Sequence, residues 1–495
     1  MKINTGISTR VGYGLFFLCA CGLALHGQAA VKETESGGYN CSADSTWFTA
    51  PSMPTEVKKS GDDGTSDFCD FYQFSWQAFA YLMSSSASNS DIRNFEDISQ
   101  YPELEVNTDG SPANSCDEAV NGRTLFIRVT KMDDPGSPFL IPERIGQAGG
   151  GATIYDQNRN VVYYDVRFSK SMCDFETIKA VDNFPGGTTE LKTAWKVLTP
   201  ADDAGQYITM EAKIGSEPST TKLGMVGFHV AVATPDHPEF VWATFEHDVN
   251  TPYCENPSTT KGWSFASEQC TADLQGKDVL GVVQCRFNDP SAQTDPTQVT
   301  GTPTEICREY PYGSAESDLK YAENVGDITS LNANVQPYLT GAYAVLANYF
   351  NVGALWVSDT TQNSVIGNQR GSLRLANTVA ETEYQNVDLE AGFVSNCFGC
   401  HNYEGTGNPA TGKNTTAGSL SHIFDDIAIG AGQCLDVQAA KVINNQSAAE
   451  STCPGTCTSS SSQLHWSGQW TNTDAETGQQ LPITVCGCCG PQASD

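Results

Sequence analysis

The cysteines constrain this chain more than any other residue type. There are 18 of them, and 16 follow the first 29 residues. These 16 fall into three groups: eight precede residue 310, a pair lies at Cys397 and Cys400, and six follow residue 430. The first and last groups are even, as disulfide pairing within separate regions requires. The pattern predicts a disulfide-bearing protein that folds outside the cytoplasm, and it leaves the connectivity open.

The N-terminus has the features of a signal peptide. Lys2 and Arg10 accompany an apolar run at residues 14–25, and small residues follow the run. We expect residues 1–29 to be removed on export, which predicts a periplasmic or secreted protein. The run is shorter than the ~20 apolar residues that span a bilayer. A lipid anchor on Cys21 is the alternative, and no later segment predicts a membrane span in the mature chain.

The composition narrows the choice of partners. The chain has 58 acidic and 27 basic residues, and its formal net charge is −31. This balance argues against a nucleic-acid partner, because binding to phosphates requires a cationic surface. Hydrophobic residues make up 39% of the sequence, so the chain can bury a substantial core. Its length of 495 residues predicts two or three domains.

The residue patterns predict an α+β fold class in three regions after the signal peptide. These are an N-terminal α+β region at 30–320, a helical region at 321–431 and a small β-rich module at 432–495. Residues 250–310 are rich in Cys, Pro and Thr and predict a disulfide-pinned excursion. Apolar periodicity predicts helices at 68–83, 188–198 and 331–350, strands at 123–129, 225–234 and 240–247, and a hairpin at 152–168.

The strongest chemical signal is the run Cys397-Phe398-Gly399-Cys400-His401. Two cysteines at this spacing can form thioethers with the two vinyl groups of one haem, and the adjacent histidine then becomes an axial iron ligand. We therefore predict one covalent haem c in the 321–431 region. A redox-active dithiol is one alternative. Half of a zinc site is another, and it would need His422 as a further ligand.

The second axial ligand is not a downstream methionine, because the last methionine of the chain is Met225. We predict His422, which follows a polar loop and precedes Ile and Phe, as the second iron ligand. A structural histidine at a helix start is the equally weighted alternative. The upstream candidates are His229 and His247, both in strand-like segments, whereas His237 has proline neighbours typical of a surface turn.

Four segments together resemble a bacterial family of mono-haem c-type cytochromes. They are Leu191–Leu198, Gly224–Val230, Phe240–His247 and Leu375–Thr378, and the resemblance covers roughly residues 65–430. It implies a secreted or periplasmic mono-haem protein and carries no particular reaction with it. His229 and His247 match positions of the family pattern, but the match assigns them no role.

The C-terminal region resembles a mannan-binding lectin module. The resemblance rests on residues 444–446, 453–457, 465–470 and 485–488, and it implies binding of oligomannoside-type glycans. An aromatic ring can stack on the apolar face of a sugar while amide groups bond its hydroxyls. The alternative is that both tryptophans form the core of a small disulfide-linked domain. The predicted glycan-binding residues are Asn445, Gln446, Trp466, Gly468, Gln469 and Trp470.

These features together predict a mono-haem cytochrome that transfers electrons and carries a glycan-binding module. One alternative is a haem redox enzyme, of peroxidase or oxidase type, that acts at a polysaccharide. Another is a glycan adhesin with a structural haem. The sequence predicts neither the redox partner protein nor whether the chain is an enzyme.

Overall fold

The computed structural model describes residues 39–102, 153–170, 184–213, 220–258, 262–276, 285–288, 300–358, 368–382, 385, 396–400, 434–460, 465–473 and 480–489. The predicted signal peptide, the predicted strand at 123–129, and His401 and His422 lie outside the described residues, as does the side chain of Cys400. The described part is a mixed α/β structure with disulfides and a small β module at its C-terminus. Among these residues, no helix combines the length and the apolar character needed to cross a bilayer.

The described helices and strands are numbered in chain order. The α-helices are α1 (Thr46–Thr49), α2 (Phe68–Met83), α3 (Glu268–Leu274), α4 (Tyr321–Val335), α5 (Cys397–Cys400) and α6 (Gln446–Ser460). The strands are β1 (Tyr163–Phe168), β2 (Thr189–Val197), β3 (Thr209–Lys213), β4 (Thr220–Val232), β5 (Val241–His247), β6 (Tyr349–Val357), β7 (Gln369–Gly371), β8 (Cys434–Gln438), β9 (His465–Thr473) and β10 (Gln480–Cys489).

A seven-stranded antiparallel sheet organises the larger part of the described chain. Its strand order is β1-β2-β4-β5-β6-β7, and β3 pairs with the first half of β4. The predicted strands at 225–234 and 240–247 are confirmed as parts of β4 and β5. Strands β6 and β7 follow residue 320 in the chain but belong to the same sheet. The sheet therefore takes strands from both sides of the predicted boundary at 320, including two from the region expected to be helical.

Helix α2 covers one face of this sheet, and its predicted bounds are confirmed. It begins with a capping box, in which Asp67 accepts from the Asp70 N–H and Asp70 accepts from the Asp67 N–H. Phe79 stacks on Phe245 of β5 with a centroid distance of 4.0 Å. The indole N–H of Trp76 donates to Asn332 of α4 at 2.9 Å. Helices α2 and α4 therefore lie in one layer that buries the aromatic side of the sheet.

The opposite face of the sheet is covered by irregular chain from residues 372–382 and by α5. Asn377 of this segment donates to Thr244 of β5 at 2.9 Å. The Tyr164 hydroxyl of β1 donates to the carbonyl of Val379 at 2.6 Å. Phe398 of α5 packs into an apolar cluster with Trp242 of β5. Because side chains alternate along a strand, even-numbered residues of β5 point to this second face.

The excursion at 250–310 is pinned by disulfides, as predicted. Cys254 pairs with Cys307, and Cys270 pairs with Cys285. A third bond, between Cys41 and Cys69, ties the N-terminal segment to α2. These pairs keep the N-terminal cysteines within their own group, which confirms the even-group prediction for the described bonds.

The C-terminal module consists of a three-stranded antiparallel sheet, in the order β8-β10-β9, and helix α6. Two disulfides, Cys453–Cys486 and Cys457–Cys488, fasten the helix to β10. Cys453 and Cys457 are four residues apart and therefore share one face of the helix. Cys486 and Cys488 are two residues apart and share one face of the strand, so both bonds can form side by side. A small sheet with little apolar area to bury gains its stability from such cross-links.

Two secondary-structure predictions were wrong. Residues 188–198 form the strand β2 and not a helix, because Leu191 and Trp195 are buried in the aromatic core beside β4. The predicted helix at 331–350 ends at Val335, where Pro337 follows and the chain becomes 3-10 helical. In both places tertiary packing or a proline outweighs the apolar periodicity. The hairpin predicted at 152–168 is confirmed by the antiparallel bridge between Tyr155 and Val161.

Candidate functional site

The turn that carries Cys397, the first cysteine of the predicted haem motif, is anchored to the second face of the large sheet. Buried Asn396 donates to the Gln369 side chain at 2.6 Å and to the Leu373 carbonyl at 2.9 Å. Its side-chain oxygen accepts from the backbone N–H of Phe398 at 3.1 Å. The Phe398 ring is fully buried, edge-on to Trp242 at 6.1 Å. These contacts fix where α5 meets the sheet.

Cys397 is half-buried at the edge of the apolar cluster around Phe398. The backbone of Cys400 lies in the same helical turn. A haem has a large apolar ring system and needs apolar contacts beside its thioether links. The apolar surroundings of Cys397 therefore suit this group, whereas the Cys400 side chain and His401 lie outside the described residues. Other apolar members of this cluster are Phe168, Phe240, Val352, Leu355 and Leu375.

His247 is a structural residue. Its Nε2–H donates to the Gln206 carbonyl at 3.0 Å, and its Nδ1 accepts from the Val249 N–H. The ring stacks on Tyr207 at 4.3 Å and meets the edge of Tyr349. Burial raises the pKa of the Tyr207 hydroxyl to about 12. With both ring nitrogens bonded inside the core, His247 has no nitrogen left for an iron.

His237 lies on the other side of the sheet from Cys397. It occupies the turn between β4 and β5, as expected, but its ring is half-buried and meets Phe71 of α2 edge-on at 5.1 Å. Its Nδ1 is 3.0 Å from the Glu239 carboxylate. Burial raises the pKa of Glu239, and the hydrogen bond with His237 opposes that rise. His237 therefore serves the packing of this turn against α2.

His229 lies on the second face, where the sheet brings three charged or titratable groups together. It is paired across the strands with Lys192 of β2 and with Thr244 of β5. Its Nε2 is buried from solvent and lies 3.2 Å from the Glu381 carboxylate. Lys192 Nζ contacts the other oxygen of Glu381 at 3.1 Å. We call Lys192, His229 and Glu381 the charged cluster.

Glu381 is ionised within this cluster. Burial alone would raise its pKa, but the neighbouring His229 and Lys192 side chains, together with the backbone N–H of Asn377, hold it at about 2. The sequence did not indicate Lys192 or Glu381 as functional residues. They are far apart in the chain, and only the pairing of β2 with β4 and the path of residues 372–382 bring them together.

Among the described residues, His, Cys, Asp and Glu side chains also come close enough together to resemble a metal site. One group, Cys254, Cys307 and Glu309, has three donor atoms within 4.8 Å of one another. The two cysteines form a disulfide, so neither offers a thiolate. This group is therefore a cross-link and not a metal site.

In the C-terminal module, the two predicted tryptophans flank a bulge in β9. Trp466 lies opposite Cys488 and Trp470 lies opposite Cys486, so three residues of β9 face a single residue of β10. Gly468 is at the centre of the bulge with φ +88°, a left-handed conformation that favours glycine. Both indole rings are half-buried and pack against the disulfide-linked core.

The predicted glycan-binding residues are brought close together. The Trp470 indole N–H donates to the Gln446 side-chain oxygen at 2.7 Å. The Trp466 indole N–H donates to the Gln469 carbonyl at 2.7 Å. Asn445 caps α6 by accepting from the Ala448 N–H at 2.9 Å. Each indole thus has one side in the core and a remaining edge at the surface.

The surface around these rings is polar. Asn445, Gln446, Gly468 and Gln469 are exposed, and they come from the start of α6 and from the β9 bulge. Exposed amides beside aromatic edges suit the hydroxyl groups and apolar faces of a sugar. The two interpretations of the tryptophans are therefore compatible, because each ring has a buried part and an accessible part.

Comparison with known proteins identifies this module. Residues 446–488 match the model of a family described as mannan-binding protein, and the match runs from the start of α6 into β10. The match supports a lectin-like module in this region of the chain. No curated protein matches the chain. No solved structure matches it either.

Proposed function

We propose that the chain is an exported mono-haem c-type cytochrome that transfers electrons and that its C-terminal module holds it at mannan-type glycans. The observation that carries the electron-transfer part is the run Cys397 to His401, whose first four residues form one helical turn against an apolar cluster. The observation that carries the glycan part is the family match at 446–488. The periplasmic or secreted location is part of the proposal, and the disulfides are consistent with it.

In this proposal Cys397 and Cys400 hold the haem covalently, and His401 is its first axial ligand. When bound, the haem supplies a one-electron couple between ferric and ferrous iron. Phe398 and Asn396 keep the turn on the sheet, and the apolar cluster excludes water from the side of the group nearest the sheet.

We further propose His422 as the second axial ligand. The absence of any methionine after Met225 supports a histidine in this position. Of the two upstream alternatives, His247 has both ring nitrogens bonded, and the Nε2 of His229 lies 3.2 Å from the Glu381 carboxylate. Two histidine ligands would leave no open iron position, which favours electron transfer over catalysis at the iron.

The test is a visible spectrum of the reduced holoprotein with and without carbon monoxide. Electron transfer with two histidine ligands predicts a low-spin spectrum that carbon monoxide leaves unchanged. A high-spin spectrum that responds to carbon monoxide would contradict this ligand set and favour the peroxidase- or oxidase-like alternative.

The glycan part is tested by isothermal titration of the full mature chain with mannan fragments. Binding of a mannose oligosaccharide, but not of a cellulose oligosaccharide of the same length, is expected. Equal binding of both, or of neither, would contradict a mannan-binding role for the module. A single site should bind weakly, because one module offers no multivalency.

A further inference from the structure

A cleft of about 780 Å³ lies at the start of α2. It is bounded by the segment 59–67, the turn between β4 and β5, the start of α4 and the end of β6, and we call it the α2–α4 cleft. Small-molecule sites in proteins usually have volumes of ~300–1,000 Å³. The residues that line this cleft are distinct from those of the haem motif and of the C-terminal module.

The floor of the cleft is aromatic. Phe71 stacks on Trp356 of β6 with a centroid distance of 3.7 Å, and Phe68 meets Trp356 edge-on at 5.1 Å. All three side chains are buried in the core, so only their edges reach the cleft. The floor is therefore a preformed apolar surface whose position is fixed by core packing.

The rim of the cleft carries charges that are paired with one another. Lys59 Nζ contacts the Asp236 carboxylate at 2.6 Å, and Lys320 Nζ contacts the Glu323 carboxylate at 3.0 Å. Both lysine side chains are half exposed. An ammonium group has three donors, and a carboxylate accepts several hydrogen bonds. Each ion pair therefore keeps donors and acceptors for a ligand.

His237 adds a further polar group to the lining of the cleft. The hydrogen bond with Glu239, at 3.0 Å, occupies its Nδ1. The structure gives its Nε2 no hydrogen-bond partner among the described residues. Nε2 is therefore the ring nitrogen left for a ligand.

These features suit an uncharged ligand with many hydroxyl groups. An ionic ligand would compete with Asp236 or Glu323 for a lysine that is already paired. A hydroxyl group can instead accept from the ammonium and donate to the carboxylate while the pair stays intact. The aromatic floor suits the apolar C–H face of a sugar ring.

The family match at 446–488 adds an independent reason to expect a saccharide. A module that holds the chain on a glycan raises the effective concentration of that glycan at any second site on the same chain. A second site for the same class of ligand then gains apparent affinity without further contacts.

We propose that the α2–α4 cleft binds a neutral saccharide, which gives the chain a second glycan site besides the C-terminal module. The choice of a mannose oligosaccharide as its ligand rests on the proposed glycan function.

The test is isothermal titration of mannohexaose into the full mature chain carrying Trp466→Ala and Trp470→Ala, which remove both predicted stacking rings of the module. Residual binding is expected in this background. Adding Ser66→Trp, which places a large ring in the cleft lining, should abolish it. Adding Lys59→Ala should weaken it about ten-fold, because a hydrogen bond from a charged donor is lost.

Ser52→Trp and Lys58→Ala are the matched controls. Both residues are exposed, precede α2 in the chain and lie outside the cleft lining. These variants should keep the residual binding. If Ser66→Trp fails to fold, the difference between Lys59→Ala and Lys58→Ala decides the question.

Three results would overturn the inference. One is the absence of residual binding, and another is residual binding that Ser66→Trp and Lys59→Ala leave unchanged. The third is binding that is lost when EDTA removes divalent cations, which would assign it to a cation at Asp62 and Asp63 of the same cleft. Failure of the proposed glycan function is distinguishable, since Trp466→Ala and Trp470→Ala would then leave mannohexaose binding at the wild-type level.

Discussion

Asp327 gives the sharpest stability prediction. It lies on α4 with only 8% of its surface exposed, in the electrostatic neighbourhood of Glu323 and of Asp67 at the start of α2. Burial raises its pKa from 3.8 to about 7, the two carboxylates add to the rise, and Lys320 opposes it. The folded state therefore holds this proton more tightly than the unfolded state does.

The sign of the pH dependence follows from this difference. Stability contributed by protonated Asp327 is fully present below about pH 4 and is lost as the pH rises through about 7. A pKa difference of about three units corresponds to a loss of roughly 4 kcal/mol once the pH exceeds 7. Asp327→Asn resembles the protonated form and avoids the loss. Relative to wild type, it should gain about 3 kcal/mol of unfolding free energy between pH 5 and 8.5.

The assay is urea unfolding of the disulfide-intact protein at pH 5 and pH 8.5, with the free energy extrapolated to water. Asp318→Asn is a suitable control, because Asp318 is paired with Arg374 at 3.2 Å. Its difference from wild type should vary little between the two pH values. A difference between Asp327→Asn and wild type that is the same at both would refute the reasoning.

Three further predictions test other parts of the structure. Asp97 accepts hydrogen bonds from the serine hydroxyls of Ser86, Ser88 and Ser99; burial opposes them, but together they hold its pKa well below 3.8. Asp97→Asn should therefore lower the unfolding free energy by ~1–3 kcal/mol at pH 7, and calorimetry should show the deficit disappear as the pH falls below 3.8. Trp470→Ala should weaken mannan binding by ~1–2 kcal/mol in isothermal titration, whereas Trp470→Phe keeps a stacking ring and should lose less; equal affinity of the alanine variant and wild type would remove this ring from the site. His422→Ala should open the iron to carbon monoxide and give a high-spin spectrum, and an unchanged low-spin spectrum would exclude His422 as a ligand.

Local patterns predicted those elements whose stability is also local. Helix α2 could be predicted because a mostly apolar and aromatic segment, interrupted only by single polar residues, follows the capping residue Asp67. Strand β2 could not be predicted in this way. It forms a strand because it pairs with β4 and because Trp195 is buried in an aromatic core contributed by distant segments. Strand β6 was missed for the same reason, since its partner β5 lies more than a hundred residues earlier in the chain, and β7 pairs only with β6.

In the candidate sites, too, residues in continuous motifs could be predicted, whereas contacts between distant segments could not. The haem motif and the module at 446–488 are continuous in sequence, so their residues could be named in advance. The hydrogen bond between Trp470 and Gln446 could not be predicted, because it depends on how α6 packs on β9. The charged cluster could not be predicted from the sequence either. Glu381 follows Lys192 by 189 residues and meets it only across the folded sheet.

The central claim is that Cys397 and Cys400 hold a haem covalently. The direct measurement is haem staining after denaturing electrophoresis of protein produced in a bacterial host that exports and matures c-type cytochromes. The Cys397→Ala, Cys400→Ala double variant should carry no stain, whereas the Cys453→Ala, Cys486→Ala double variant, which loses a disulfide instead, should stain as the wild type does. A wild-type band without haem, or a stained band in the Cys397→Ala, Cys400→Ala variant, would contradict the account.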